Sequence, residues 1–113
     1  MEYDALTQDG TLIYTTVDDI TQAKQLAHEA ITEGYAACVN IIPNGISVYR
    51  WEGKVCQDQE CYLLFKTLPS MAQILAEWIM QKHPYATCAV LRIDAKISGS
   101  FFDYMDAALK FGR

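Results

Sequence analysis

AACVNIIPNGISVYRWEGKVCQDQECYLLFKTL, residues Ala36–Leu68, reads as two long strands folded back on Glu52-Gly53. Gly53 supplies the residue that takes φ > 0 in a tight hairpin turn. The second arm alternates strictly: Val55, Gln57, Gln59, Cys61, Leu63 and Phe65 fall on one face, and Lys54, Cys56, Asp58, Glu60, Tyr62, Leu64 and Lys66 on the other. In the first arm Val39, Ile41, Ile46, Val48 and Tyr49 supply β-branched and aromatic content. Pro43-Asn44-Gly45 interrupts it, which signals a bulge, a bend or an edge.

These arms are too long for the domain that holds them. Roughly fifteen residues at about 3.3 Å each reach about 50 Å. A compact chain of this size has a radius of gyration near only ~13–14 Å. The tip around Tyr49, Arg50, Trp51 and Glu52 is therefore expected to overhang the core. An overhanging two-stranded ribbon is marginal alone and its open edges invite pairing. An oligomer in which each ribbon is covered by a neighbour satisfies both conditions.

At 113 residues the whole chain, 1–113, is expected to form one domain. A hydrophobic content of 51% and a charged content of 20% are those of an ordinary globular protein. A net charge of −5 without a basic run disfavours nucleic acid and anionic membranes as partners. The start, MEYDALTQDG, has neither a basic region nor an apolar stretch, so no export signal is read there. No segment approaches the 18 or so apolar residues of a membrane span. The four cysteines, Cys38, Cys56, Cys61 and Cys88, form no CxxC and are read as reduced, mostly buried thiols.

Outward from the hairpin, Thr11–Val17 is a short β-branched strand. Asp19 and Gln22 then stand at capping-box spacing before a helix with an apolar stripe of Ile20, Ala23, Ala27, Ala30 and Ile31, closed by Gly34. After the hairpin, Ser70 is expected to cap a helix whose face is Met71, Ile74, Leu75, Trp78 and Ile79. Lys82 and His83 occupy its last turn, and Pro84 stops it. Thr87–Ala95 reads as a fourth strand, and Ser98-Gly99-Ser100 leads into a helix with Phe102, Met105, Ala108 and Leu109 on one side. The order is β-α-β-β-α-β plus a C-terminal helix: an α+β, ferredoxin-like fold with a long central hairpin. The sheet face away from the two helices still carries apolar residues and needs a cover, from the terminal helix or another subunit.

Two candidate sites compete with plainer explanations. His83, beside Tyr85 or with cysteines from other strands, is the candidate metal ligand, for a borderline ion such as copper. A histidine in a helix's last turn is explained by the macrodipole alone, and the spacing offers neither a CxxC nor a histidine pair on one helix face. Glu60, Tyr62 and Lys66 share a strand face and could orient a small polar ligand or perform acid–base work; a solvated cross-strand ion pair needs the same residues. Trp51 could stack on a ligand or pack at a subunit contact. No nucleophile motif and no Gly-rich phosphate loop is present, and no enzyme reaction is indicated.

AACVNIIP, Tyr49 with WEGK at Trp51–Lys54, LFKT at Leu64–Thr67 and HPY at His83–Tyr85 together resemble the CutA divalent-cation-tolerance family. TTVDDITQAKQLA resembles its opening and DYMDAAL at Asp103–Leu109 its last helix, so the likeness runs from about Thr11 to Leu109. It implies a cytoplasmic, non-enzymatic homotrimer linked to copper and other divalent cations, with the hairpins pairing between subunits. The fold is also similar to that of the PII signalling proteins, which implies as an alternative a sensor trimer binding a small metabolite in the cleft between subunits. Trp51, Glu60, Lys66 and Tyr85 match the family's polar cleft positions and are the ligand-binding candidates. Of the copper ligands proposed for some members, a strand cysteine falls on Thr15 and a histidine pair on Lys82-His83, and the carboxylate that follows HPY is replaced at Cys88-Ala89. The expectation is therefore no tightly bound cofactor and only weak uptake of copper or another divalent cation.

Overall fold

The computed structural model describes residues 5–111, with side chains through Lys110; the first four residues of the acidic N-terminal stretch lie outside them. Its elements are β1 (Leu6–Val17), α1 (Ile20–Thr32), β2 (Cys38–Trp51), β3 (Lys54–Thr67), α2 (Pro69–Lys82), β4 (Leu91–Ser98) and α3 (Gly99–Phe111). The four strands form one antiparallel sheet in the order β2-β3-β1-β4. This is the ferredoxin-like arrangement read from the sequence, with α3 added at its end.

The hairpin forms as its residues dictate. Trp51 pairs with Lys54, and Glu52 and Gly53 both take positive φ (48° and 78°), the geometry of a turn whose twist matches that of its strands. The β2–β3 register shifts between Ile42 and Gly45, with Asn44 at φ 63°, so Pro43-Asn44-Gly45 is a bulge. Gly45 is required there for space: a Cβ would stand 2.2 Å from the Tyr62 ring. The Tyr62 hydroxyl donates to the Ile46 carbonyl at 2.9 Å and holds the ring over the bulge. The molecule measures 53 × 30 × 22 Å with a radius of gyration of 15.4 Å, above the value for a compact chain, as the overhang requires.

Ile13, Val17, Cys61, Leu63 and Phe65 on one sheet face pack with Ala23, Leu26 and Ala30 of α1 and Ala72, Leu75, Trp78 and Ile79 of α2. The N-cap Asp19 accepts a hydrogen bond from the Thr21 N–H at 2.8 Å. At the other end Tyr35 N–H reaches Ala30 O and Gly34 N–H reaches Ile31 O, the paired bonds of a Schellman motif. A second cluster unites Met105 and Leu109 of α3 with Ala37, Leu68 and Met71. Here α3 covers only the Lys66 end of the second face; Ile42, Leu91 and Ile93 on that face stay about half exposed.

Several expectations are corrected. β1 begins at Leu6 rather than Thr11, because its first half pairs with β4. Ser70 does not cap α2: Leu68 is the N-cap, and Pro69 occupies the first turn, where its missing N–H costs nothing. Ile20, Ile31 and Ile74 are exposed, while Leu26 and Ala72 are buried in their place. Residues 87–90 are not strand, since β4 first pairs with β1 at Leu91↔Tyr14 and the preceding segment is held elsewhere. His83 is the C-cap residue of α2 in extended geometry (φ −65°, ψ 137°), so the helix dipole is not what places it.

Candidate functional site

The strict alternation of β3 sends Asp58 and Glu60 to the sheet face away from α1 and α2, and β2 sends Ser47, Tyr49 and Trp51 to the same face through the pairs Ser47↔Asp58, Tyr49↔Cys56 and Trp51↔Lys54. The segment after α2 lies against this face. Two anchors hold it there. The His83 ring is buried and makes a hydrogen bond of 2.8 Å between Nε2 and the Thr16 carbonyl. Its Nδ1 accepts from the Tyr85 N–H at 3.1 Å, so Nε2 carries the proton and donates to Thr16. The Tyr85 hydroxyl then donates to Glu60 Oε2 at 2.7 Å.

Between hairpin and segment lies a cleft of about 760 Å³, lined by carboxylates (Asp18, Asp58, Glu60), aromatic rings (Tyr49, Trp51, Tyr85) and small residues including Thr16, Ala86, Thr87, Cys88 and Ala89. Its size is that of a small-molecule site. Burial pushes the Glu60 carboxyl up, but hydrogen bonds from Ser47, Tyr85 and Thr16 together hold it below the usual value. Tyr85 is raised well above an ordinary phenol by burial and by its bond to Glu60. Tyr49 is pushed up to about 12, first by its hydrogen bond to Asp58. Both phenols are therefore fixed donors, and Glu60 is an anion, at neutral pH.

Of the four ligand-binding candidates, the cleft brings together Trp51, Glu60 and Tyr85. Lys66 shares the strand face with Glu60 but lies six residues along it, at the opposite end, where its Nζ sits 5.5 Å over the Phe101 ring. Asp18, Tyr49, Asp58 and Cys88 also line the cleft, although they are not among the ligand-binding candidates; for Asp58 the signal is in the sequence, since it shares its alternation with Glu60.

The implied copper positions do not assemble a ligand set. Thr15 is fully buried on the core face and its hydroxyl has no partner. Lys82 is exposed. Ligation by His83 would break a hydrogen bond at either ring nitrogen. All four cysteines are unbridged, and among the described residues no group of three or more His, Cys, Asp or Glu side chains is placed to hold a metal ion. A preformed copper centre does not fit this donor set.

The CutA1 divalent ion tolerance protein model matches residues 11–108. A CutA homolog of Xenopus laevis is 39% identical over 80 residues, which are 71% of this chain and 53% of that protein. The chloroplastic CutA of Arabidopsis thaliana is 37% identical over 106 residues, 94% of this chain and 57% of that protein. The chain thus spans little more than half the length of these curated relatives. Among solved structures, CutA from Synechococcus elongatus PCC7942, described as complexed with a Bis-Tris molecule, superimposes with a TM-score of 0.82 at 34% identity, covering 90% of this chain and 95% of that one. No helix among the described residues is long and apolar enough to cross a membrane. With a cleft-bearing ferredoxin-like fold, a family match over nearly its whole length and relatives above 30% identity, the chain belongs to the CutA1 divalent ion tolerance protein family.

Proposed function

We propose that the chain acts as a non-enzymatic homotrimer in divalent cation tolerance, and that the cleft beside Glu60 is its ligand site. The observation that carries the assembly is the uncovered hairpin. Ile46, Val48 and Val55 share one face of the overhanging ribbon and are each more than 60% exposed, and Trp51 stands at the tip. A contiguous apolar strip on an edge strand marks a protein contact, and three copies that cover one another's ribbons close without leaving an edge. Among the described residues no three His, Cys, Asp or Glu side chains are placed together to hold a metal ion, so any copper uptake is weak as Cu(II). A stronger site would be for Cu(I) and would depend on a cysteine such as Cys88.

A second reading is a PII-like sensor, favoured by the small-molecule size of the cleft. A solved relative, from Synechococcus elongatus PCC7942, is described as complexed with a Bis-Tris molecule, in keeping with this second reading. Cytoplasmic residence rests on the family resemblance; the Arabidopsis relative is named chloroplastic, so the compartment varies within the family.

Native mass spectrometry of the protein with and without copper tests the proposal. Three chains per particle, with copper adducts removed by mild desalting, support it. A monomer, or one copper per chain retained through desalting, rejects it.

A further inference from the structure

The bulge of β2 sets a reactive pair of residues into the ribbon. The β2–β3 register runs from Ile42↔Tyr62 directly to Gly45↔Glu60, so Pro43 and Asn44 stand outside the ladder. Asn44 takes φ 63°, a left-handed conformation that asparagine tolerates better than most residues. Gly45 is fixed by space, since a Cβ there would run into the Tyr62 ring. A left-handed position followed by one without room for a side chain favours the sequence Asn-Gly. The chain's other asparagine, Asn40, is followed by Ile41 and pairs with Leu64 in the regular ladder.

Asn-Gly is also the pair in which the asparagine carboxamide is least shielded from the backbone nitrogen that follows it. A side chain on the next residue crowds the approach of that nitrogen to Cγ, and glycine has none. Across the bulge the Gln59 Nε2–H donates to Asn44 Oδ1 at 3.2 Å, which polarises the carbonyl and leaves Cγ more electrophilic. Nucleophile, carboxamide and polarising donor all belong to one hairpin of one chain, so no partner protein has to reach them.

We propose that Asn44 is a site of spontaneous modification, converted to aspartate and isoaspartate through a cyclic imide. The Gly45 nitrogen attacks Asn44 Cγ and the new C–N bond closes a five-membered succinimide. The proton of the Gly45 N–H passes through solvent to the carboxamide nitrogen, which leaves as ammonia. Water then adds to one imide carbonyl and breaks its bond to the ring nitrogen. Opening at Cγ gives aspartate, whose carboxylate accepts from Gln59 as the carboxamide did, through a charge-assisted bond. Opening at the backbone carbonyl gives isoaspartate, which routes the main chain through Cβ and Cγ and lengthens the bulge by one methylene. Either product adds a negative charge to the ribbon.

Peptide mapping by mass spectrometry tests this on the full chain, held folded at 37 °C and pH 8 for several weeks. The tryptic peptide from Gln25 to Arg50 holds both asparagines, and its fragment ions tell them apart. The mass gain of an amide-to-acid conversion is expected at Asn44 with Asn40 unchanged, and faster at pH 9 than at pH 7, because base frees the Gly45 nitrogen. The same chain unfolded in urea gives the rate without the bulge. Conversion confined to the unfolded chain, or equal conversion of Asn40 and Asn44, overturns the inference. Asn44→Asp carries one product outright and should keep the wild-type urea midpoint; a lower midpoint would contradict the place given to the aspartate before Gln59.

Discussion

The Tyr85 hydroxyl donates to Glu60 Oε2 at 2.7 Å, tying the segment after α2 to the overhanging half of β3. The bond joins residues that are 25 positions apart and sets one wall of the cleft against the other. It is one of three hydroxyl contacts that keep Glu60 ionised.

Tyr85→Phe should therefore raise the Glu60 pKa towards that of an ordinary glutamate. Stability should fall by about 1 kcal/mol, below the usual range for a hydrogen bond to a charged group because the pair is only partly buried. Urea unfolding and an NMR titration of the Glu60 carboxyl measure the two effects. A Glu60 titration identical to that of the wild type contradicts the role given to Tyr85.

His83 gives the fold an acid sensitivity. Burial depresses its pKa, against the opposing pull of the Thr16 carbonyl, Glu60 and Asp18. The unfolded chain takes up a proton near pH 6.5, while the folded chain resists it until lower pH. Between those two values the unfolded state binds more protons, so stability falls as pH falls through that window. Protonation also removes the Nδ1 acceptor used by the Tyr85 N–H. Unfolding free energy measured from pH 7.5 to 5 should decline in the wild type, and more steeply than in His83→Gln. Parallel curves for the two proteins contradict this.

Thr15 carries a hydroxyl with no partner in a fully buried position. Valine has nearly the same shape and no polar atom to desolvate. Thr15→Val is expected to stabilise the protein by about 1 kcal/mol, seen as a higher urea midpoint with an unchanged slope. A lower midpoint would mean that the hydroxyl has a partner after all.

Gly45→Ala places a Cβ in the Tyr62 ring, and the ring can move only by giving up its bond to the Ile46 carbonyl. The expected loss is about 1–3 kcal/mol. A double-mutant cycle with Tyr62→Leu should recover most of it. Additive losses in the cycle would show that the bulge backbone, not the ring, is what requires glycine.

The fold was legible in the sequence where local chemistry decides it. Glu52-Gly53 and Pro43-Asn44-Gly45 mark turn and bulge by their own conformational limits, and strict alternation assigns the β3 faces. It was not legible where tertiary docking decides. Ile20, Ile31 and Ile74 satisfy helical periodicity, yet they lie at the margins of stripes whose centres are Leu26 and Ala72. Thr87–Val90 has strand composition, but the His83 and Tyr85 anchors carry the segment over Thr16 and Glu60 before β4 begins. Lys66 shares a face with Glu60, and only the length of the strand shows that one small ligand does not reach both.

The assembly itself is tested most directly by light scattering coupled to size exclusion, at micromolar protein, on the wild type and on Val48→Asp/Val55→Asp. A molar mass three times the 12.8 kDa of the chain, falling on introducing the two charges, is the predicted result. A wild-type mass of 12.8 kDa would leave the exposed strip of Ile46, Val48 and Val55 without a partner and contradict the account.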